Sequence, residues 1–165
     1  MPQKIKDVSP PTGLNRVMFR LPIWFYKFHI GWLLGGRFLL LNHIGRKSGQ
    51  PRQVVLEVVG HDEVANTYYV ASGFGPKAQW YQNLQQTTAV SIQVGRKKMP
   101  VTARILPPEE SGQTMVAYAH NQPKAAKNLM KFCGYVVDGS DEDYFVMGSE
   151  HIPFVAFEPR KKDEG

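Results

Sequence analysis

From Phe38 onward the chain alternates short apolar runs with polar turns, at the spacing of strands. Phe38-Leu39-Leu40-Leu41 and Val54-Val55-Leu56-Glu57-Val58-Val59 are strand-like, and the Gly- and Pro-containing stretch from Asn42 to Arg52 joins them as a hairpin with a long loop. After a turn from His61 to Asn66, the aromatic and β-branched run Thr67-Tyr68-Tyr69-Val70-Ala71-Ser72 predicts another strand. Val90-Ser91-Ile92-Gln93-Val94 alternates as a half-buried strand should. Gly95-Arg96-Lys97-Lys98 reads as a tight polar turn, and Met99 to Leu106 returns as the partner strand. Ile152 to Phe157 predicts the last strand. Between these lie helical stretches: Ala78 to Leu84, Pro107 to about His120 with Glu109 and Glu110 favourably placed at its N-terminus, Lys124 to Phe132 closed by Gly134, and a short helix opening at Asp141-Glu142-Asp143-Tyr144. Antiparallel hairpins with helices at the ends and between them predict an α+β domain around a small barrel or strongly bent sheet.

The segment before Phe38 has a different texture. Residues 1–12 are polar, contain Pro2, Pro10 and Pro11, and read as a loose arm. Residues 13–36 are apolar with basic punctuation. Leu14, Val17, Met18 and Leu21 fall at helical spacing, Pro22 ends one helix and starts the next, and Gly35-Gly36 is a stop. This run is too short and too often interrupted by charge for a membrane span. It fits an amphipathic helix pair covering the core, which the pattern slightly favours. It also fits a helix lying on an anionic membrane surface through residues 14–34, where Trp24, Phe25, Tyr26 and Trp32 sit among cations. No signal-peptide pattern is evident. Residues 37–159 then form the barrel domain and residues 160–165 a charged tail.

Composition narrows the class. A chain of 165 residues with 42% hydrophobic and 12% aromatic content fits one globular domain. Cys133 is the only cysteine, so a disulfide framework and a cysteine-based zinc site are excluded, and a small buried hydrophobe is the better reading of it. The net charge is +6, and its distribution matters more than its size. Between Asp7 and Glu57 there is no acid, while Arg16, Arg20, Lys27, Arg37, Arg46, Lys47 and Arg52 fall in that window. Such a field attracts an anionic partner. Nucleic acid is not expected, because the aromatics there follow a helical, apolar pattern rather than interleaving with cations on a sheet.

The loop Gly45-Arg46-Lys47-Ser48-Gly49-Gln50-Pro51-Arg52 concentrates three cations, a hydroxyl and two glycines. Glycines let backbone N–H groups turn toward an anion, and Arg and Lys neutralise it. The loop lacks the glycine spacing of a nucleotide-hydrolysing P-loop. Gly73-Phe74-Gly75-Pro76-Lys77-Ala78 formally matches a dinucleotide fingerprint. It follows a hairpin strand, Pro76 removes an N–H, and no acid lies between Glu63 and Glu109 to hold a ribose, so it is rejected as one. No hydrolase motif is present. The five histidines lack metal-ligand spacing, and no metal site is expected. A chain without an obvious acid, base, nucleophile or metal fits chemistry supplied by a bound organic cofactor.

Several blocks together are more specific: Leu40-Leu41 through Gly45 to Arg52, Tyr69-Val70-Ala71-Ser72-Gly73, Trp80-Tyr81-Gln82-Asn83-Leu84, Val94-Gly95 and Ile152-Pro153 to Pro159. In order and spacing, over residues 37–159, they resemble the deazaflavin-dependent nitroreductase family, small reductases that use coenzyme F420. The resemblance implies a split β-barrel like those of flavin reductases and pyridoxamine-phosphate oxidases, with F420 bound and FMN the less favoured cofactor. It implies that Arg46, Lys47, Ser48, Gln50 and Arg52 hold the cofactor's phosphate and polyglutamate tail. By the same resemblance, Ser72, Gly73, Trp80 and Tyr81 line the deazaflavin and acceptor pocket, with Ser72 orienting the acceptor. Relatives that activate nitroimidazoles carry a basic residue after the serine where this chain has Gly73, so either Lys77 replaces it or the tail is gripped less tightly. Tyr135 and Tyr144 are the nearest counterparts of the family's substrate-side tyrosines.

The expected activity is hydride transfer from reduced F420 to a small-molecule electron acceptor: a quinone, a nitroaromatic or an activated alkene. The alternative is a non-catalytic carrier of a flavin, deazaflavin or haem on the same barrel. A cytoplasmic location is expected, with a peripheral seat on the inner face of the membrane if residues 14–34 bind lipid.

Overall fold

A computed structural model describes residues 2–5 and 37–160. The helical segment at 13–36, with its proposed lipid-facing stretch 14–34, and the tail after residue 160 lie outside the described residues. The strands are β1 (Gln3–Lys4), β2 (Phe38–Ile44), β3 (Pro51–Asp62), β4 (Thr67–Ala71), β5 (Ala89–Val94), β6 (Lys97–Ile105), β7 (Tyr135–Val136) and β8 (Phe154–Pro159). The helices are α1 (Gln79–Gln86), α2 (Pro108–Asn121), α3 (Pro123–Phe132) and α4 (Asp141–Val146). A 3-10 turn at Gly75–Lys77 and a π-helical turn at Met147–His151 complete the set. Six strands close into a barrel in the order β2-β3-β4-β8-β6-β5.

The barrel follows from the period-two pattern. Val90 and Ile92 on β5, and Met99, Val101 and Ala103 on β6, are buried while their neighbours are not. Leu39, Leu41, Val70 and Phe157 are fully buried. β8 lies between two strands and reads as a continuous apolar run, and Phe154 to Phe157 are all fully buried. The antiparallel barrel confirms the expected fold and removes the dinucleotide reading, because β4 pairs antiparallel with β3.

Several boundaries differ from the sequence reading, among them β3, which runs through Asp62 into the expected turn, and β8, which is shifted two residues on from Ile152–Phe157. β2 and β3 run further toward each other than their apolar runs, with Asn42↔Gln53, His43↔Arg52 and Ile44↔Pro51 still in register, so the loop shrinks to residues 45–50. The second hairpin turns on Gly95-Arg96 alone, with Lys97 opposite Val94 and Gly95 at φ +60°. A glycine in the left-handed region makes a two-residue turn possible, and exposed strand positions tolerate lysines. Gln3–Lys4, within the stretch read as a loose arm, pairs antiparallel with Tyr135–Val136.

Contacts group the described chain into two compact units. One holds residues 2–5, 71–78 and 105–155; the other holds 37–70, 79–104 and 156–160. In the first, α2 meets α4 and the π turn at two glycines. A Cβ on Gly112 would lie 2.7 Å from the Phe145 ring, and one on Gly148 2.5 Å from the Ser111 carbonyl. In the second lies most of the barrel. No helix among the described residues is long and apolar enough to cross a membrane.

Candidate functional site

The β2–β3 loop is built by its own backbone. Gly45 N–H donates to the Gln50 carbonyl at 2.9 Å and Gly49 N–H to the Gly45 carbonyl at 2.8 Å. Gly49 sits at φ +70°, which a side chain would strain. Gln50 N–H donates to Ser48 Oγ at 3.2 Å, so the Ser48 hydroxyl accepts there and keeps its own proton to donate. Gly45 is where the loop closes in on itself. A Cβ there would lie 2.8 Å from Ser48 Oγ, 3.5 Å from Arg52 Nε and 3.5 Å from the Gln50 carbonyl. The missing side chain leaves a small cradle edged by a hydroxyl and a guanidinium. Lys47, Ser48, Gln50 and Arg52 are all exposed. Among the described residues, no hydrogen bond engages the backbone N–H of Lys47 or Ser48. Hydroxyl, ammonium, guanidinium and two N–H groups, with no carboxylate among the described residues on them, form a donor set suited to a phosphate or a carboxylate tail.

Arg46 is placed differently. Its N–H donates to Asn83 Oδ1 at 3.1 Å, and its Nη1 donates to Asn83 Oδ1 and to Gln79 Oε1, both at 2.9 Å. Gln79 and Asn83 lie four apart on α1 and so share one helix face. Asn83 Nδ2 in turn donates to His43 Nδ1 at 3.0 Å. Because Oδ1 accepts from Arg46, the amide orientation is fixed, Nδ1 of His43 must accept, and the ring proton sits on Nε2. Arg46 is thus a strut that ties the loop to α1. Trp80 and Tyr81 are on the same helix, both buried, their rings edge to face at 6.2 Å. Burial raises the Tyr81 phenol.

His43 is 5% exposed, and burial, then the Arg52 charge, pushes it down to about 4. An unfolded His titrates near the ordinary 6.5, so below that the unfolded chain takes up a proton the folded chain refuses. Stability is therefore full above pH 6.5 and falls as pH drops toward 4, by roughly 3 kcal/mol at the end of that window. Thermal melting of His43→Gln against wild type across this range checks it. The variant should show a shallower acid loss, and parallel curves would refute the assignment.

The other unit carries the remaining expected residues. Ser72 is fully buried; its N–H donates to the Pro153 carbonyl at 2.9 Å and its hydroxyl to the Gly75 carbonyl at 2.6 Å. That hydroxyl proton is committed to the turn. Gly75 has φ +71°, and a Cβ on it would meet the His151 carbonyl at 3.2 Å. A Cβ on Gly73 would make ordinary contact with Phe132, Cys133 and Leu129. Lys77 is exposed at the end of the 3-10 turn. Tyr135 Oη lies 3.2 Å from His151 Nδ1. Tyr144 is buried on α4, where burial raises its phenol. Cys133 is buried and its thiol pushed up to about 12, which makes it a poor nucleophile.

The expected loop residues therefore do come together, with Arg46 turned inward. His43, Gln79, Asn83 and His151 were not singled out from the sequence. The i, i+4 pair Gln79/Asn83 was the available signal, but its partner lies 37 residues from Asn83 in the chain, across the barrel hairpins.

A closed antiparallel barrel with a cationic glycine loop between its first two strands fits a class: the flavin-type cofactor-binding split barrels. The chain belongs within it to the F420H(2)-dependent quinone reductase family, whose model matches residues 20–131. It is an oxidoreductase, and its cofactor is coenzyme F420. Among solved structures it is similar to an F420-H2 dependent reductase, FDR-A, at 26% identity, covering 74% of this chain and 94% of that one with a TM-score of 0.50. It shares its fold with a domain-swapped dimer at 24% identity, 83% and 99% coverage and a TM-score of 0.51. It shares it also with a pyridoxamine 5'-phosphate oxidase-related, FMN-binding protein of Nostoc punctiforme at 15% identity, 90% and 81% coverage and a TM-score of 0.52.

Proposed function

We propose that the β2–β3 loop holds the phosphate and polyglutamate tail of coenzyme F420, and that the enzyme reduces quinones and, less selectively, nitroaromatics or activated alkenes. The observation that carries the binding reading is the Gly45 cradle, where Ser48 and Arg52 converge beside the open N–H groups of Lys47 and Ser48. Lys47 and Arg52 supply charge, Ser48 donates from its hydroxyl, Gln50 offers its amide, and Arg46 holds the loop's shape. When bound in reduced form, the deazaflavin supplies a hydride. The residues' task is to fix and orient it and to exclude water. Trp80 and Tyr81, buried on the α1 helix that Arg46 ties to the loop, stiffen the support on which the loop sits.

The test mixes purified protein with reduced F420 and either menadione or a nitroaromatic and follows the return of the oxidised coenzyme's absorbance. Oxidation of F420 that depends on both protein and menadione is expected. Binding of F420 without turnover would favour a carrier. We also place residues 14–34 on anionic lipid at the inner face of the cytoplasmic membrane, since apolar and cationic residues with no acid act together there. Salt-sensitive sedimentation with anionic vesicles is expected, and none at low salt would remove the membrane part of the reading.

A further inference from the structure

Four large apolar side chains are exposed among the described residues, and three of them, Ile5, Phe132 and Val136, lie in one compact unit. β1 and β7 bring two of them together. Gln3 pairs with Val136 and Lys4 with Tyr135, and Ile5 N–H donates to the Gly134 carbonyl at 2.7 Å. Side chains alternate across a strand, so Ile5 and Val136 share the face opposite Tyr135. Phe132, at the end of α3, leans on Phe74 with ring centroids 5.5 Å apart and stays 45% exposed. α3 adds charge beside them. Lys124, Lys127 and Lys131 fall at i, i+3 and i+7, one stripe of the helix, and all three are exposed, while Ala126 and Met130 are buried. Among the described residues no ion pair engages these lysines. Acids that follow β7 in the chain are engaged elsewhere. Asp141 meets His120 at 2.8 Å, Asp138 accepts from Ser140 N–H, Asp143 accepts from Asp138 N–H, and Glu150 lies 4.0 Å from His151.

An occupant of this patch must be anionic and apolar at once. A second copy of the patch would set lysines against lysines. The chain that continues from Ile5 to Arg37 is itself basic, with Asp7 its only acid. Discrete carboxylates are best met by the planar fork of arginine, and the patch holds lysines alone. Point charges on flexible stems suit a diffuse field of headgroups instead. We propose that this patch seats the protein on an anionic lipid surface, the α3 lysines at the headgroups and Ile5, Phe132 and Val136 at the acyl boundary. The surface is made of residues outside 14–34 and needs no contribution from that stretch.

The test places an environment-sensitive fluorophore on the full-length Val136→Cys variant. Cys133 is buried with its thiol pushed up to about 12, so the dye attaches at the exposed new thiol near neutral pH. Vesicles containing phosphatidylglycerol should shift the emission to the blue, and pure phosphatidylcholine vesicles should not. Adding Lys124→Gln, Lys127→Gln and Lys131→Gln should weaken vesicle affinity roughly a hundredfold, a factor of about five for each lysine near the surface. All four positions are exposed, and melting curves verify that the fold is kept. A protein that sediments with the vesicles while the dye stays silent binds through another surface, which overturns this inference and leaves residues 14–34 as the contact. An equal shift in the triple-glutamine variant overturns the charge recognition. A dye already shielded in buffer and unmoved by vesicles means that another part of the chain covers the patch, and overturns it too. No binding by the full-length chain at low salt removes both membrane contacts.

Discussion

Replacing Lys47 and Arg52 together by alanine weakens F420 binding by about 3–6 kcal/mol, since one hydrogen bond to a charged group contributes about 1.5–3. Each single variant should lose roughly half of this. The pair need not add fully, because both cations face one anion and neighbours couple. The protein itself should be nearly unaffected. Both residues are exposed, and no carboxylate among the described residues pairs with either. Surface substitutions of this kind fall within about 0.5 kcal/mol. Salt supplies a control: wild-type affinity should fall as ionic strength rises, and the double variant's dependence should be flatter. Fluorescence titration measures all of this. A double variant that binds F420 like wild type would show that the tail is held elsewhere.

Asn83→Ala is expected to be the more damaging change to the protein. Asn83 is 4% exposed and makes three hydrogen bonds: it accepts from Arg46 N and Nη1 and donates to His43 Nδ1. Truncation leaves the Arg46 N–H and the His43 Nδ1 without these partners. Each unsatisfied group costs about 1–3 kcal/mol, so a loss of about 2–6 kcal/mol follows. Cofactor affinity should drop as well, because Arg46 no longer ties the loop to α1. Asn83→Asp separates the two roles. Its carboxylate still accepts from Arg46, but it places an acceptor on His43 Nδ1, which drives the ring proton there and raises the His43 pKa. Acid loss of stability should then be smaller than in wild type. Denaturant unfolding at two pH values reads both variants. Asn83→Ala within about 0.5 kcal/mol of wild type would mean the network holds nothing.

The parts of this fold legible from sequence are those with a strong local signal. Continuous apolar runs and, in β5 and β6, period-two alternation located the barrel strands, and acids after a proline located α2. The exposed cationic loop was legible because its residue types, cations with glycines, describe a solvent-facing turn without reference to anything distant. The direction of Arg46 was not. Whether an arginine points outward or onto an amide depends on Asn83, and a barrel brings such partners together without leaving any periodic mark. The same holds for His43, which as a lone histidine at the end of an apolar run is indistinguishable from a surface one. β7 was missed because two residues carry no period, and its partner at Gln3–Lys4 is polar. The resemblance made Ser72 an acceptor-orienting hydroxyl; that its proton goes to a carbonyl three residues on could not be read from the sequence.

The place of β8 bears on how the protein is made. It is the last barrel strand in chain order, yet it stands between β4 and β6, so neither finds its second neighbour until Phe154 to Pro159 are available. A ribosome that has translated the loop, α1 and both hairpins has produced a sheet with two unpaired edges, and unpaired edges recruit other strands. Closure is a long-range, late event, which slows folding. A chain stalled or clipped before Phe154 would carry its whole cationic loop and still be a substrate for chaperones or for self-association rather than a reductase.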